Sequence, residues 1–417
     1  MRYLLLYKWL LFSLIALCSC AGSGNNTDNV IEVDNIIDIE SAVGTGKIWN
    51  ASGFIENIRY IPLETTKTSI MGKIDKIIVK NNKIYIIDIR HVINIFDMSG
   101  RHLNTFNRVG RGPGEYNQMS GFDVGDNGHI YVILPLLGMK IMEYGADLKY
   151  IRTIDPGRNN DAFEDILFVK EGLFVSNSIF DRRANLAWIM YDDSVNIHVS
   201  YNGSYNYSKM ADPLRRQRES KWTVMKRYKQ YLFEKDLCIY IRGIDTVFNI
   251  NYENDYSRSD RYIIKTGKYC FLREMDTKDM TIESTTLNTI SLENLIETKT
   301  YLFLNFDFRG LAPEPFENDG SRLVFSNYIT TVCSIYNKVT GELSVLNQPV
   351  PGTLGLKNDI DGGVIFWPET VSDRHELISW CSALDLIQLA EEGKIDRSIA
   401  NGLKENDNPV IIIATPK

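Results

Sequence analysis

Residues 74–106 read IDKIIVKNNKIYIIDIRHVINIFDMSGRHLNTF, and this stretch decides the fold class. It contains four short apolar runs that are rich in β-branched and aromatic residues, and Asn, Ser and Gly separate them. Short runs of this kind, broken by turn residues, predict an antiparallel meander. The meander ends at residues 110–116, GRGPGEY, a connector that neither a helix nor a strand accommodates.

The same unit returns further along the chain. The pair IY at 84–85 aligns with IY at 130–131, which is an offset of 46 residues. Four strands in roughly 45 residues is the size of a β-propeller blade. We predict an all-β, six-bladed propeller of four-stranded antiparallel blades, with seven blades as the main alternative. Beyond the second unit, strands are predicted at 166–169, 173–175, 188–191, 195–199, 231–233, 237–241, 247–250, 262–264, 301–306, 323–325, 332–336, 343–346, 364–367, 377–380 and 410–413.

A strand at residues 58–63 precedes the first complete unit and has no hairpin partner. A propeller ring needs its last blade completed by the other end of the chain, because an open sheet edge favours aggregation. We therefore expect this N-terminal strand to pair beside residues 410–413. A small helical insert is predicted at residues 383–390, with Ser382 as its N-cap and Gly393 as its stop.

The first twenty residues have the layout of a bacterial secretory signal. Two basic residues, Arg2 and Lys8, precede an apolar run at 9–17, which is too short for a transmembrane helix of about 20 residues. The letters LCSC at 17–20 resemble a lipobox, in which a cysteine after a small residue is lipidated and becomes the mature N-terminus. Cys20 fits this pattern better than Cys18, which follows a bulky leucine.

These features predict three parts. They are a lipoprotein signal peptide at residues 1–19, a tether and N-terminal edge segment at 20–50, and the propeller at 51–417. The lipid would hold the protein in the cell envelope, with the outer membrane as the expected location and the leaflet left open. An ordinary cleaved signal is the alternative.

Composition narrows the classes of function. The formal net charge of −7 argues against a general nucleic-acid binder that works by neutralising phosphates. The sequence contains five histidines and no HExxH, CxxC or GxSxG motif, so we predict no metal or other cofactor and no elbow-type serine nucleophile. The widely spaced later cysteines favour buried free thiols, with one disulfide as the alternative: Cys238, Cys270, Cys333 and Cys381.

Several pieces, taken in order, resemble a known family. They are IRYIPLET at 58–65, IYIID at 84–88, GRGPGEY at 110–116, DTVF at 245–248, YIIKTG at 262–267 and NPVIII at 408–413. They look like segments of the six-bladed β-propeller lipoproteins of gut Bacteroidetes, which are related to NHL-repeat propellers. The resemblance implies a lipid-anchored six-bladed propeller and, for most of the family, no established activity. The glycine-rich connector does not recur, so we do not assign the ligand-binding properties of regular NHL repeats to this sequence.

The connector GRGPGEY also has features of an anion site. Clustered glycines let backbone N–H groups approach an anion, but the Lys-Ser/Thr ending of a phosphate loop is missing and a strand follows. A blade-to-blade connector is the favoured interpretation. If it lies at the mouth of the channel, Arg111 and Glu115 are candidates for ligand contact.

Two acidic stretches carry the oxygen-rich side chains of calcium loops, although neither has the ligand spacing of an EF-hand. Hairpin turns use the same residue types, because these tolerate positive φ, and we interpret both stretches as turns. Their members are Asp123, Asp126, Asn127 and Gly128 in the first, and Asn358, Asp359, Asp361 and Gly362 in the second.

Residues 209–229 are the strongest anomaly of composition. They contain eight Lys or Arg residues against two acidic ones, a net charge of +6 in an acidic protein. Arginine beside exposed aromatic rings suits recognition of a carboxylate, a phosphate or a sugar face. The candidate contacts are Arg215, Arg216, Trp222 and Tyr228. A solvated segment between the third and fourth blades is the plainer alternative.

The leading hypothesis for function is a non-catalytic cell-envelope lipoprotein, expected to be a monomer, whose propeller binds a protein, peptide or glycan partner through its loop face. The rival is an enzyme, a lyase or hydrolase acting on sugars or peptides in the central channel. Carboxylates around a cation in that channel would favour the enzyme, and a plugged channel would count against it. The fold alone does not decide between them.

Overall fold

The apolar runs of each repeated unit form a four-stranded antiparallel sheet, and six such sheets make the ring of a β-propeller. The predicted six-bladed fold is thereby confirmed. The computed structural model describes residues 35–134, 140–155, 162–180, 186–202, 228–241, 245–270, 288–317 and 328–417. The predicted signal peptide and Cys20 lie outside these residues.

Two strands come before the first blade, β1 (Ile36–Asp38) and β2 (Ile55–Pro62). Blades 1 to 3 then follow in chain order, each running from an innermost to an outermost strand. Blade 1 contains β3 (Ile74–Lys80), β4 (Lys83–Asp88), β5 (Ile93–Asp97) and β6 (His102–Phe106); blade 2 contains β7 (Gly121–Val124), β8 (Ile130–Leu134), β9 (Lys140–Tyr144) and β10 (Tyr150–Ile154); blade 3 contains β11 (Ala162–Lys170), β12 (Leu173–Phe180), β13 (Leu186–Asp192) and β14 (Ile197–Asn202).

Blades 4 to 6 complete the ring, and the last of them takes its outermost strand from the N-terminal region. A short hairpin, β21 (Phe316–Glu317) with β22 (Tyr328–Ile329), interrupts blade 5. Blade 4 contains β15 (Tyr228–Phe233), β16 (Asp236–Ile241), β17 (Thr246–Ile250) and β18 (Arg258–Lys265); blade 5 contains β19 (Thr289–Glu297), β20 (Tyr301–Arg309), β23 (Thr331–Asn337) and β24 (Leu343–Val345); blade 6 contains β25 (Thr370–Val371), β26 (Leu377–Cys381), β27 (Val410–Pro416) and β2.

Strand β2 closes the ring as the sequence predicts. It pairs antiparallel with β27, from Ile58 opposite Ala414 to Pro62 opposite Val410. The pairing covers the outer edge of β27, so that the first and last strands of the propeller share one sheet.

Apolar clusters fill the interfaces between neighbouring blades throughout the described residues. At the closure, Ile411 and Ile413 of blade 6 share one cluster with Ile77, Ile84 and Phe96 of blade 1. Burying apolar surface stabilises by roughly 25 cal/mol per Å². These interfaces therefore hold the blades together.

Two of the predicted inner strands were placed wrongly. Blade 5 begins with β19, whose sequence TISLENLIE carries Glu293, Asn294 and Glu297 and so conceals a strand that is largely buried. The strand predicted at 323–325 lies outside the described residues. In blade 6, residues 364–367 form no strand; Phe366 makes only an isolated bridge with Leu356, and the inner strand is the two-residue β25.

The helical insert was predicted correctly. Helix α2 (Ala383–Glu391) follows α1 (Ile39–Ala42) in chain order and lies between β26 and β27. Its N-terminus is a capping box, in which the Ser382 hydroxyl accepts a hydrogen bond from the Asp385 N–H at 3.1 Å and the Asp385 carboxylate accepts one from the Ser382 N–H at 3.0 Å. Gly393, with φ of +69°, follows its end.

The segment before β2 runs along three successive blades. Strand β1 pairs in parallel with β18, the outermost strand of blade 4, so that Ile37 lies opposite Ile264. The Trp49 indole then donates to the carbonyl of Val345 in blade 5 at 3.0 Å. The Ala51 N–H donates to the carbonyl of Lys357, on the connector into blade 6, at 2.8 Å.

Candidate functional site

The central channel is lined by the innermost strand of each blade. Each of these strands contacts the next, and β25 contacts β3, which closes the inner ring. Side chains from different blades converge there, because the sheets radiate from a common axis. The six strands are β3, β7, β11, β15, β19 and β25.

Lys76 of blade 1 contacts the inner strands of blades 2 and 3. Its ammonium donates to the Phe122 carbonyl on β7 at 2.8 Å and forms an ion pair with Asp165 on β11 at 2.7 Å. The side chains of Lys76 and Asp165 keep 31% and 40% of their surface exposed, so this pair faces water rather than dry core. Burial alone lowers the pKa of Lys76, but the carboxylates of Asp165 and Asp123 hold it above its usual value.

Lys229 of blade 4 lies on the opposite side of the ring. Loss of hydration lowers the pKa of its ammonium, repulsion from Lys76 adds to this effect, and Asp165 and Glu369 oppose it. These residues belong to the inner strands of blades 1, 3 and 4 and to the position just before the inner strand β25 of blade 6, so they lie along the inner ring. We call Lys76, Asp165, Lys229 and Glu369 the channel cluster.

The ammonium of Lys229 stands out within the channel cluster. Among the residues that the structure describes, it has neither a hydrogen bond nor an ion pair. Its side chain is only partly exposed. An unpaired charge of this kind is costly to keep inside a protein.

Gln230, the next residue of β15, adds a second unsatisfied group. Its amide nitrogen donates to the Val175 carbonyl of blade 3 in a long bond of 3.4 Å. Its side-chain oxygen is buried and has no hydrogen-bond partner within the described part of the chain. Gln230 lies on the face of β15 that packs on blade 3, whereas Lys229 lies on the opposite face, because side chains alternate along a strand.

Side chains of neighbouring blades pack together at the far end of β15. The Phe233 ring, which is 7% exposed, packs against the imidazole of His375 from blade 6 with ring centroids 5.2 Å apart. The ammonium of Lys338 from blade 5 lies 4.3 Å from the centre of the same ring. Side chains from three blades meet at this end, so we expect access to the channel cluster from the end at which the inner strands begin.

The connector GRGPGEY lies against the outer strands of blade 2. The Tyr144 hydroxyl of β9 donates to the Gly114 carbonyl at 3.1 Å, and the Arg108 guanidinium donates to the Leu148 carbonyl in the outer hairpin at 2.8 Å. Glu115 folds back to accept the Gly112 N–H at 2.8 Å, and Arg111 is exposed. The described contacts therefore place Arg111 and Glu115 away from the inner strands.

The predicted basic segment falls almost entirely outside the described residues. Arg215, Arg216 and Trp222 lie there, and Tyr228 is described only as the first residue of β15. Lys229, the last cation of that segment, lies on the described strand β15.

The acidic stretches make the contacts of turns and links between elements. Asp123 accepts the Phe168 N–H of blade 3 at 2.7 Å, and Asp126 pairs with Lys80 at 2.7 Å. In the second stretch, Asp359 accepts the Ser52 hydroxyl at 2.6 Å and Asp361 accepts the Tyr60 hydroxyl at 3.1 Å. Within the described ranges, no group of three or more His, Cys, Asp or Glu side chains is arranged to hold a metal ion.

A heavily hydrogen-bonded buried carboxylate belongs to Glu297, at the interface of blades 4 and 5. Oε1 accepts from Arg261 Nη2, Lys338 Nζ and the Tyr262 hydroxyl, each at 2.8 Å, and Oε2 accepts from the Tyr231 hydroxyl at 2.8 Å. Burial alone would raise the pKa of Glu297, but Arg261 and Lys338 hold it below its usual value. All its partners are internal, so this network joins the two blades.

The four later cysteines are free thiols, as the sequence favours. Cys238, Cys333 and Cys381 are buried, and Cys270 is partly exposed. Burial raises the pKa of Cys238 and of Cys381 to about 12, which makes both poor nucleophiles at neutral pH.

Sequence reasoning missed the channel cluster. In the sequence, Lys229 is one of the basic residues of a connector. Lys76 and Asp165 belong to no motif that indicates a functional site. The charged residues at the start of the inner strands could have indicated the site, because such residues face either solvent or the channel axis. The blade geometry decides which of the two it is.

The fold and the channel define a six-bladed β-propeller protein. Residues 34–415 match the family described as "Domain of unknown function (DUF4934)", and the chain belongs to this family. No curated protein matched the sequence.

Two solved structures from Bacteroides are similar to this chain. A protein of Bacteroides fragilis described as exported has a TM-score of 0.66 at 16% identity, and the match covers 92% of this chain and 99% of that one. A member of the DUF4221 family from Bacteroides vulgatus has a TM-score of 0.48 at 12% identity, with 87% and 97% covered. At such identity the first likeness supports the fold, and the second carries no argument. No helix in the described ranges is both long enough and apolar enough to cross a membrane.

Proposed function

We propose that this chain is a non-catalytic, lipid-anchored protein of the bacterial cell envelope, related to NHL-like propeller lipoproteins, and that its propeller binds a protein, peptide or glycan partner. One observation carries the binding function: charged side chains from four blades converge in the channel, and the Lys229 ammonium among them has no partner in the described residues. A protein that only needed a stable ring would be more stable with an apolar residue there.

Location outside the cytoplasm rests on two supports. The chain begins with the layout of a secretory signal and a lipobox at residues 17–20, and the similar structure from Bacteroides fragilis is described as an exported protein. A lipid on Cys20 would keep the propeller at a membrane surface, with the polar residues that follow as a tether.

The anchor is tested by replacing Cys20 with Ser in the full-length chain. We expect loss of the acyl mass and release of the protein from membranes, whereas Cys18→Ser, the matched control, should stay anchored. Membrane retention of Cys20→Ser with unchanged mass would refute the anchor.

Binding is tested by affinity capture of the tagged, lipidated protein from gently solubilised envelopes, followed by mass spectrometry of proteins and glycans. We expect one partner in near-equal amount, and we expect Lys229→Met to lose it. Lys235→Met is the matched control, because Lys235 is exposed on the hairpin after the same strand. A partner that Lys229→Met retains would place binding elsewhere, and chemical conversion of a captured glycan or peptide would favour the enzyme.

A further inference from the structure

The connector GRGPGEY forms a fixed loop on the outer strands of blade 2. The Tyr144 hydroxyl of β9 donates to the Gly114 carbonyl at 3.1 Å. A Cβ atom at Gly114, where φ is +71°, would lie 2.7 Å from Cγ of Tyr150 on β10. A glycine is therefore needed for the backbone to rest on the Tyr150 ring. The Tyr116 N–H closes the loop by donating to the Arg108 carbonyl at 2.9 Å.

Glu115, the one acidic residue of this loop, is engaged with the loop itself. Its Oε2 atom accepts the Gly112 N–H at 2.8 Å, and a Cβ atom at Gly110 would collide with the same oxygen. The two glycines thus make room for the carboxylate against the backbone. Glu115 forms no ion pair with any residue that the structure describes. The arginines beside it therefore lack a carboxylate partner from the loop.

Two arginines at this loop have no carboxylate partner in the part of the chain that the structure describes. The Arg108 guanidinium donates to the Leu148 carbonyl at 2.8 Å, and Arg111 is exposed without a hydrogen bond or ion pair to any described residue. Exposed Arg101 of blade 1, by contrast, forms an ion pair with Asp97 at 3.0 Å. Guanidinium groups bind carboxylates in a bidentate manner, so the two unmatched arginines suit a partner with acidic side chains.

Tyr150 and Pro113 add an apolar area beside Arg108. Arg108 contacts Leu148, two residues before Tyr150, and Gly114, which follows Pro113, rests on the Tyr150 ring. Tyr150 is 42% exposed, and Pro113 is exposed as well. Tyrosine and arginine are enriched where proteins bind one another, since each combines a large contact area with polar groups. This combination indicates a surface for a protein segment rather than for a free ion.

We propose that this surface binds an acidic segment of a partner protein, and we call it the connector surface: Arg108, Arg111, Pro113 and Tyr150. The two guanidinium groups pair with carboxylates of the segment, and the Tyr150 ring packs against a neighbouring apolar side chain. The inference goes beyond the proposed function, because the connector surface lies on outer strands, whereas Lys229 lies on the inner strand β15. The overall charge of −7 disfavours a nucleic acid as the occupant.

The test is fluorescence anisotropy on the full-length protein in detergent at low ionic strength. The probe is a dye-labelled peptide of sequence Glu-Glu-Leu-Glu-Glu-Leu, and Gln-Gln-Leu-Gln-Gln-Leu is its neutral counterpart. We expect saturable binding of the acidic peptide and at least about fivefold weaker binding of the neutral one, the size expected for two exposed ion pairs. Added salt should weaken binding of the acidic peptide, because it screens exposed charges.

Arginine variants connect the result to the connector surface. Arg108→Gln combined with Arg111→Gln should weaken binding of the acidic peptide at least about fivefold. Arg101→Gln, the matched control, should leave binding unchanged, because Arg101 is already paired with Asp97. Far-ultraviolet circular dichroism and thermal unfolding confirm that each variant is folded.

Two further variants separate the connector surface from other charged parts of the chain. Arg215→Gln combined with Arg216→Gln changes the basic residues 209–229, and Lys229→Met changes the channel cluster. We expect both variants to bind the acidic peptide as the wild type does.

The inference is overturned if the folded wild-type protein does not bind the acidic peptide, or if the double variant of Arg108 and Arg111 binds it equally well. Loss of binding in the variant of Arg215 and Arg216 would overturn it too, because binding would then belong to another segment. The proposed function is tested separately, by the dependence of envelope capture on Lys229.

Discussion

The side-chain amide of Asn408 donates at 3.0 Å to the carbonyl of Glu64, which lies 344 residues earlier in the chain. The same nitrogen donates to the Ser69 carbonyl at 3.0 Å, and the side-chain oxygen accepts the Met71 N–H at 3.1 Å. Asn408 comes just before β27, and Glu64 just after β2. The buried side chain of Asn408 therefore links the two ends of the ring where β2 and β27 pair.

We expect Asn408→Ala to lower the free energy of unfolding by about 2–4 kcal/mol. The change leaves the Ser69 carbonyl and the Met71 N–H without the Asn408 amide at a site where Asn408 is 3% exposed, while the Glu64 carbonyl keeps the Ser69 hydroxyl at 2.7 Å. Each unsatisfied buried group costs about 1–3 kcal/mol. Denaturant unfolding, followed by circular dichroism, measures the effect. Asn406→Ala is the control, since Asn406 is exposed on the same loop. Equal stability of the two variants would show that the amide does not fasten the ring.

Glu297→Gln should destabilise more strongly, by about 3–5 kcal/mol, because it removes the buried carboxylate that the largely buried Arg261 and Lys338 share. Arg261 then keeps only its ion pair with Asp236. Glu56→Gln, on the exposed side of β2, should have no measurable effect. The comparison uses the same unfolding assay. A loss below about 1 kcal/mol for Glu297→Gln would mean that the network is no stronger than a surface ion pair.

The same substitution predicts a dependence on pH. Because the folded-state pKa of Glu297 lies below the value in the unfolded chain, its contribution is complete above the unfolded pKa of about 4.3 and is lost as pH falls towards the folded pKa. The stability difference between wild type and Glu297→Gln should be constant from pH 7 to about pH 5 and then shrink. Unfolding curves between pH 7 and pH 3 measure it. A difference that grows on acidification would contradict the direction of the shift.

Lys229→Met should raise the free energy of unfolding by about 1 kcal/mol, because it removes an unpaired ammonium and keeps a side chain of similar length. Lys76→Met should instead lower it by about 1 kcal/mol, since Asp165 would lose its partner at a partly exposed site. Parallel thermal and denaturant unfolding tests this difference in sign. Destabilisation by Lys229→Met would assign Lys229 a structural role and remove the main argument for a ligand.

Several segments that carry the family resemblance form contacts that hold the propeller ring together. NPVIII contributes Asn408 and the strand that pairs with IRYIPLET. DTVF and YIIKTG meet where the Thr266 hydroxyl donates to the Asp245 carboxylate at 2.7 Å. Tyr262 of YIIKTG reaches Glu297. These motifs describe how the ring is held together, which is why they indicated the fold more clearly than the function.

The sequence by itself determined the repeat, the number of blades, the strand that closes the ring and the capped helix. Each of these depends on local patterns, such as alternation of apolar residues, turn residues at fixed spacing, and a Ser382 cap. The same patterns misplaced the inner strands of blades 5 and 6, where β19 carries two glutamates and β25 has only two residues.

Only the tertiary structure decided the candidate site. Lys76, Asp165, Lys229 and Glu369 are far apart in the chain and belong to different blades, so no spacing rule connects them. They meet because closure of the ring directs the inner strands of all blades towards one axis. In the tertiary structure, GRGPGEY packs on the outer strands of blade 2. Lys229, one of eight cations in residues 209–229, lies instead on the inner strand β15.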